Sequence, residues 1–332
     1  MKNPPTFAAL LQSFFTERLM GQRNASPHTI ASYRDTFRLL LAFVQDRLRK
    51  PPTTVALQDL DAPFLGRFLD HLETDRGNIP RSRNLRLAAI HSFFKYVALH
   101  EPSQGALAQR VLAIPCKRHK TKPIDFLARP EIEALLAAPD QRTWMGRRDR
   151  TLLLVAAQTG LRASELIGLR CQDVAFGPGA HVQCTGKGRK QRRTPLRKDA
   201  VAALRAWLRE RDGQPADVLF PNARGQRLSH DGLAYILAKH VATARQQCAS
   251  LVNKRVTPHV LRHSLAMELL QAGVDRSVIA LWLGHETLDT VQVYLHANPE
   301  LKEQALAKTK PFNGRPGRYR PDDQLLAFLQ GL

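Results

Sequence analysis

Apolar residues in the first 100 positions recur at the three- and four-residue spacing of amphipathic helices. The pattern predicts four helices, which begin at or just after Thr6, Ser26, Asp61 and Arg81. Aromatic residues fill the apolar stripes, as Phe7 and Phe14 do in the first helix. We interpret these stripes as the core of a helical bundle rather than as a platform on which nucleic-acid bases stack.

The helical pattern fails between Glu101 and Asp125. Prolines stand at positions 102, 115 and 123, and a basic run extends from Lys117 to Lys122. This composition predicts an interdomain linker. The sequence therefore divides into a helical domain at 1–105, a basic linker at 106–125, a second domain at 126–300 and a tail at 301–332.

Helical periodicity returns in the second domain, with one interruption. Residues 173 to 196 contain three short apolar or β-branched runs separated by Gly-Pro-Gly and Gly-Lys-Gly turns, which predicts a three-stranded meander. Helices are predicted at 130–138, 145–158, 199–211, 230–247 and 258–272, with another after Asp275. The predicted fold is mainly α with a small antiparallel β-sheet.

The net positive charge of the chain indicates what kind of partner it binds. Fifty Lys and Arg residues against 29 Asp and Glu give a formal net charge of +21 and a pI near 10.6. Such an excess favours a polyanion, and nucleic acid leads, although a merely basic soluble protein stays an alternative. No apolar run approaches the length of a membrane span, the first residues open no signal peptide, and the four cysteines are scattered. We expect a cytoplasmic protein without a disulfide framework or structural zinc.

Candidate chemistry is concentrated after Thr257. This residue is a good helix N-cap and Pro258 a good first helical residue, so His259 and Arg262 should share a face near the positive end of a helix. The guanidinium of Arg262 can grip two phosphate oxygens, and His259 can bond the same phosphate or exchange a proton. Such a pair alone more commonly marks a solvated face.

Four further residues complete the candidate set. Arg162 follows a helix-ending glycine and Glu165 can hold it, Lys187 lies between two glycines in a predicted turn, and His285 and Tyr294 come late in the chain. A tyrosine with a pKa near 10 needs nearby cations to react. No carboxylate cluster suited to a metal accompanies them, so cationic side chains and a covalent route must support any phosphate chemistry.

Other basic residues are expected on the phosphate backbone of DNA. They are Arg76, Arg81, Arg83, Arg86, Lys117, Arg118, Lys120, Arg189, Lys190, Arg192 and Arg193. The sequence does not separate side chains that read bases from those that bind phosphates.

Five motifs occur together in one order: Thr-Gly-Leu-Arg-Ala-Ser-Glu-Leu, Gly-Lys-Gly-Arg-Lys, Thr-Pro-His-Val-Leu-Arg-His-Ser, Leu-Gly-His-Glu and Val-Gln-Val-Tyr-Leu-His. The combination resembles the tyrosine recombinase, or phage integrase, family, especially its compact Xer-like members. The resemblance implies a helical core-binding, SAM-like domain at 1–105 and a catalytic domain at 126–300, which together form a C-shaped clamp on DNA.

The same resemblance implies roles for individual residues. Arg162 and Arg262 would clamp the phosphate, braced by Glu165. Lys187 would be the general acid, His259 the acid/base partner and His285 a phosphate contact. The nucleophile would be Tyr294.

The implied reaction is site-specific cleavage and rejoining of DNA through a 3′-phosphotyrosyl intermediate and a Holliday junction. It would need no cofactor, metal, ATP or small-molecule ligand, and a homo- or hetero-tetramer of recombinase protomers would carry it out on a double-stranded site. The tail would then be exchanged between protomers or dock on its own core. Two alternatives are a type IB topoisomerase-like enzyme and a non-catalytic DNA-binding protein of the same fold. The length of the tail favours a transposon, plasmid or phage role at least as much as resolution of chromosome dimers.

Overall fold

The computed structural model describes residues 6–119, 125–186 and 191–284. Packing divides the chain into two compact units, Met1–Thr121 and Lys122–Leu332. The described residues are mainly helical and contain one three-stranded antiparallel sheet, which confirms the predicted fold class. Among them no helix is long and apolar enough to cross a lipid bilayer.

The first unit consists of helices. They are α1 (Phe7–Ser13), which continues as a π-helical segment (Phe14–Gln22), α2 (Pro27–Leu48), α3 (Ala62–Thr74), α4 (Pro80–His100) and α5 (Gly105–Leu112). The side chains of Thr6, Ser26 and Asp61 each accept a hydrogen bond from the backbone N–H three residues later, at 3.3, 3.2 and 2.8 Å. These bonds satisfy N–H groups that the first helical turn leaves without a partner, so the three predicted helix starts are confirmed.

The aromatic stripes form the core of this unit. Phe14, Phe37 and Phe93 are fully or almost fully buried. Their rings meet edge to face, with centroids 5.5 Å apart for Phe14 and Phe93 and 5.3 Å apart for Phe37 and Phe93. Aromatic pairs prefer this arrangement, and rings held inside a core are not open to nucleic-acid bases. The interpretation of the stripes as bundle core is confirmed.

Helix α5 falls inside the segment that was predicted to be a linker. Ala108 and Val111 are fully buried and join the core that α3 and α4 form. Further along, the side-chain amide of Asn84 donates to the Lys117 carbonyl at 2.8 Å, and the Lys117 N–H donates back to the Asn84 side-chain oxygen at 3.0 Å. The chain up to Lys117 therefore belongs to the first unit, and Pro102 precedes a helix instead of opening a linker.

The second unit surrounds a long buried helix. Its elements are α6 (Arg129–Ala137), α7 (Trp144–Thr159), α8 (Ala163–Leu166), β1 (Val174–Ala175), β2 (His181–Thr185), β3 (Gln191–Pro195), α9 (Lys198–Arg211), α10 (His230–Gln247), α11 (Pro258–Gln271) and α12 (Arg276–Leu283). The strands follow the order β1-β2-β3, and all neighbours are antiparallel, as the predicted meander requires. Helix α7 packs against α6, α9 and α11, so its carboxyl end has a fixed position.

A buried polar network holds the other end of α7. The Arg148 guanidinium donates to the Asp149 carboxylate at 2.6 Å and to the Pro221 carbonyl at 2.7 Å. The second oxygen of Asp149 lies 2.8 Å from His240 Nε2 on α10. A buried charge is tolerated only when it is paired and hydrogen-bonded, and all three side chains meet that requirement. The network fixes α7 against α10.

Candidate active site

Arg162 lies where α7 ends and α8 begins. Gly160 closes α7 with a φ of 60°, a left-handed conformation that suits glycine. Two residues later Arg162 is the N-cap residue of α8, and its backbone N–H donates to Glu165 Oε2 at 2.7 Å. The Arg162 guanidinium also donates to Glu165 Oε1 at 3.0 Å. Glu165 therefore holds both ends of Arg162, as the sequence predicted for this pair.

Arg262 comes from α11, whose predicted start is confirmed. Thr257 caps the helix by accepting the N–H of Val260 at 3.3 Å. Arg262 is only 4% exposed, and its guanidinium donates to the Gly160 carbonyl at 2.7 Å and the Leu283 carbonyl at 2.6 Å. Its position is set by backbone atoms of two other helices.

The two arginines meet at the carboxyl end of α12. Arg162 donates from its Nη2 to the Gly284 carbonyl at 3.0 Å, and Arg262 donates to the preceding carbonyl, that of Leu283. The last carbonyls of a helix lack helical partners and carry the negative end of its dipole, so they hold cations well. The Arg162 side chain keeps 28% of its surface exposed, which leaves it accessible to an anion. The structure thus brings the predicted arginine pair together.

The charge of Glu165 is fixed by the same contacts. Burial of the carboxyl favours its neutral form, but hydrogen bonds from Arg192 and from Arg162 outweigh it, and the net effect holds the pKa of Glu165 below its usual range. Glu165 is therefore ionised at neutral pH. It neutralises part of the positive charge and keeps the guanidinium groups in one place.

His259 is exposed on the first turn of α11, and Arg262 follows on the same helix. Its ring stacks with that of His263 one turn later, with centroids 6.4 Å apart. Burial lowers the pKa of His263 to about 4, helped by the nearby charges of His259 and Arg262. His263 is therefore neutral at pH 7, whereas His259 faces solvent, as an acid/base group must if substrate is to reach it.

Three predicted catalytic residues fall outside the described residues. Lys187 belongs to the segment between β2 and β3, and His285 and Tyr294 follow α12 in the sequence. The structure assigns no position to them, so their roles stay predictions. The 301–332 tail lies outside as well.

The predicted DNA-binding residues of the first unit divide into two groups. Arg76 and Arg81 are exposed. Arg83 is 5% exposed and donates to the Pro115 carbonyl at 3.3 Å, and Arg86 donates to Ser32 O and Thr36 Oγ1, both at 3.1 Å. Arg83 and Arg86 are thus bonded within the unit, whereas Arg76 and Arg81 face solvent, and the phosphate contacts of all four stay predictions.

The remaining members of that set also differ in their surroundings. Lys117 is exposed but pairs with the Glu73 carboxylate, and Arg118 is exposed. Arg193 is exposed, whereas Arg192 donates to both oxygens of Glu165, a role that the sequence interpretation missed. Lys120, Arg189 and Lys190 lie outside the described residues.

Two family models match most of the chain. The phage integrase family model matches residues 125–300, and the model of the SAM-like N-terminal domain of phage integrases matches residues 13–101. The chain belongs to the phage integrase family of tyrosine recombinases. The family named from the five motifs is confirmed, and with it the predicted enzyme class.

Curated relatives agree with this assignment. A putative integrase/recombinase, y4rC, from Sinorhizobium fredii is 57% identical over 332 residues and spans the whole of both chains. The tyrosine recombinase XerC of Pelobacter propionicus is 34% identical over 298 residues, which cover 90% of this chain and 94% of the relative. The tyrosine recombinase XerD of Pseudomonas putida is 31% identical over 310 residues, which cover 90% of this chain and 96% of the relative.

Solved structures share the fold. XerH bound to palindromic difH substrate in a post-cleavage complex superposes with a TM-score of 0.69 at 23% identity, over 89% of this chain and 84% of that one. The Tn1549 transposon integrase in complex with a circular intermediate DNA gives a TM-score of 0.67 at 17% identity, over 90% and 99%. At these identities the likeness supports the tyrosine recombinase fold of the chain.

Gly160 offers a first test of how the site is held. A Cβ at this position would lie 2.7 Å from Leu283 Cδ2 and 2.9 Å from Leu265 Cδ2, both on buried side chains, and φ is unfavourable for alanine. We expect Gly160→Ala to lower the free energy of unfolding by about 2–4 kcal/mol, as measured by urea denaturation.

Gly273 is the matched control for that substitution. It has a φ of 78°, but apart from Gly273 and its two chain neighbours no atom of the described residues lies within 4 Å of where a Cβ would stand, so Gly273→Ala carries the backbone cost alone. We expect this control to lose about 1–2 kcal/mol. Equal losses in the two variants would show that Leu265 and Leu283 do not restrict residue 160.

Proposed function

We propose that this recombinase cleaves and rejoins DNA at specific sites through a 3′-phosphotyrosyl intermediate and a Holliday junction, without metal or ATP. The observation that carries the proposal is the convergence of Arg162 and Arg262 on consecutive carbonyls, those of Gly284 and Leu283. Two adjacent guanidinium groups can donate to the non-bridging oxygens of one phosphodiester and more than offset its single negative charge. The predicted His285 follows directly in the sequence.

Each residue has a role in the proposed reaction. The Tyr294 oxygen attacks phosphorus, a phosphorus–oxygen bond to tyrosine forms, and the bond from phosphorus to the 5′ oxygen of the next nucleotide breaks. His259 accepts the tyrosine proton and Lys187 donates a proton to the departing 5′ oxygen. Arg162, Arg262 and His285 stabilise the charge on the non-bridging oxygens. The phosphotyrosine bond replaces a phosphodiester, so rejoining needs no external energy source.

Double-stranded DNA is the proposed partner. The net charge of +21 suits a polyanion, and among the predicted contacts Arg76, Arg81, Arg118 and Arg193 are exposed. Each phosphate contact should add roughly one unit to the slope of log affinity against log salt concentration. Two duplexes and a homo- or hetero-tetramer of recombinase protomers would form the active assembly, in the bacterial cytoplasm and associated with the nucleoid.

A covalent-capture assay tests the chemistry. The purified protein is incubated with nicked DNA duplexes from its own genomic neighbourhood, in EDTA and without ATP, and the products are separated on a denaturing gel. We expect a protein–DNA adduct attached at a 3′ phosphate. Binding without an adduct would favour the non-catalytic DNA-binding alternative. Relaxation of supercoiled DNA by a monomer, without junctions, would favour the topoisomerase-like one.

A role on a transposon, plasmid or phage is the second part of the proposal. The relative y4rC aligns with the whole chain and is named an integrase/recombinase, whereas the XerC and XerD relatives cited above each cover 90% of it. The shared full length supports a function distinct from chromosome dimer resolution. Adduct formation on a chromosomal dimer-resolution site, and on none from the genomic neighbourhood, would contradict it.

A further inference from the structure

The Glu165 carboxylate is shared by two arginines. Its Oε1 accepts from Arg162 Nη1 and from Arg192 Nη1, both at 3.0 Å, and its Oε2 accepts from Arg192 Nη2 at 2.7 Å. Glu165 and Arg192 have 4% and 12% of their side-chain surfaces exposed. A bidentate arginine–carboxylate pair fixes orientation as well as charge, and desolvation strengthens that constraint.

Arg192 also contacts the second anchor of Arg162. A Cβ on Gly284 would lie 2.8 Å from Arg192 Nη1 and 3.2 Å from Arg192 Cδ, so the bare backbone of Gly284 rests on the Arg192 side chain. The carbonyl of that glycine accepts from Arg162 Nη2 at 3.0 Å. Arg192 therefore touches both groups that orient Arg162, the carboxylate on one side and the end of α12 on the other.

The strand explains why Arg192 points inward. Successive side chains of a strand face opposite sides, and in β3 Arg192 and the fully buried Thr194 share the inner face. Arg192 pairs across the sheet with Cys184, and Thr194 pairs with Val182, two residues that are also buried. Arg193 lies on the other face and is exposed. Two adjacent arginines thus have separate environments.

The geometry points to Arg192 as a positioning residue for Arg162, which acts by fixing Glu165 and by packing against Gly284 rather than by contacting DNA. The assignment rests on the proposed role of Arg162 in phosphate binding. Without Arg192, Glu165 would keep one arginine partner and the backbone N–H of Arg162. The Arg162 guanidinium would then be free to turn away from the phosphate.

The charge state of Glu165 gives this role a measurable signature. Burial favours the protonated carboxyl, and hydrogen bonds from Arg192 are the first of the contacts that lower its pKa. Among the described residues, Arg162, Cys184 and Asp173 are the other titratable groups in this cluster, and burial raises the pKa of Cys184 to about 11, so its thiol stays neutral. Loss of Arg192 should therefore raise the pKa of Glu165, and protonation should release Arg162 as the pH falls.

The test measures single-turnover cleavage of a nicked substrate by pre-bound full-length protein from about pH 5 to pH 8. We expect Arg192→Gln to cleave roughly 10- to 100-fold more slowly than wild type at pH 7, with DNA affinity within about threefold. Its rate should also fall at a higher pH than the wild-type rate does. Adding Glu165→Gln should remove this shift and leave a slow rate whose pH dependence matches that of wild type. Arg192→Lys keeps the charge but loses the bidentate contact, so its cleavage rate should lie between those of wild type and Arg192→Gln.

Arg193→Gln is the matched control, because it removes the same charge from the neighbouring exposed position. It should lower DNA affinity and reduce the slope of log affinity against log salt concentration by about one. Its cleavage rate should fall at the same acidic pH as that of wild type. If Arg192→Gln shows this pattern instead, Arg192 contacts DNA and the assignment is wrong. If Arg192→Gln does not fold, Arg192→Lys decides: a wild-type rate throughout the pH range overturns the assignment. A wild-type protein that forms no adduct contradicts the proposed function instead.

Discussion

Tyr294→Phe will abolish the covalent protein–DNA adduct and leave DNA affinity within about twofold of wild type. Phenylalanine keeps the ring but lacks the oxygen that must bond to phosphorus. Basic contacts elsewhere on the protein set the affinity, so binding should persist. The measurement is a denaturing gel of protein trapped on a nicked substrate, with a mobility-shift titration of the same variant.

Tyr235→Phe serves as the control for this substitution. Tyr235 lies on α10 and is 71% exposed, so the change removes a phenol that has no predicted part in the reaction. The adduct yield of this variant should equal that of wild type. An adduct in the Tyr294→Phe variant would place the nucleophile on another residue and remove Tyr294 from the mechanism.

Most helices could be predicted from the sequence because their starts and their buried faces depend on residues only a few positions apart. Thr6, Ser26, Asp61 and Thr257 cap helices through bonds that span only a few residues, and the apolar stripes follow helical periodicity. Helix α5 was missed for the converse reason. It is short and follows a proline, and only its packing on α3 and α4 shows that it belongs to the core.

The partners of individual arginines were harder to predict. Arg192 pairs with a carboxylate 27 residues earlier in the chain, and Arg83 bonds to a carbonyl 32 residues later. The sequence around each residue is rich in basic side chains, as a phosphate-binding surface is. Nothing in that local sequence distinguishes an arginine that contacts DNA from one that pairs with a distant group of the protein. Strand alternation offered one usable signal, since it places Arg192 on the same face as Thr194.

The two arginines that are predicted to be catalytic differ in the same way between what the sequence indicates and what the structure adds. Motif order identified Arg162 and Arg262, but no pattern in the sequence indicates that both are held by the last carbonyls of α12. Those contacts are made by backbone atoms, which leave no trace in residue type. They tie the site to the segment that leads toward His285 and Tyr294, so the orientation of both guanidinium groups depends on how α12 ends.

Arg262→Lys is the second substitution with a large expected effect. The Arg262 guanidinium spans the Gly160 and Leu283 carbonyls, at 2.7 and 2.6 Å, in a site that is 4% exposed. A lysine keeps the charge but has no planar fork, so it cannot bridge both carbonyls and also present two N–H groups to a phosphate. We expect the single-turnover cleavage rate at saturating DNA to fall roughly 10²- to 10³-fold.

Arg255→Lys is the matched control, because it makes the same charge-conserving exchange at an exposed position. Arg255 lies just before α11, and this variant should cleave saturating DNA at a rate close to wild type. Thermal unfolding of Arg262→Lys must be followed as well, because a lysine leaves at least one buried carbonyl without a donor. If the lysine variant stays folded and cleaves at the wild-type rate, the Arg262 guanidinium only holds α7 and α12 together, and phosphate binding must come from Arg162.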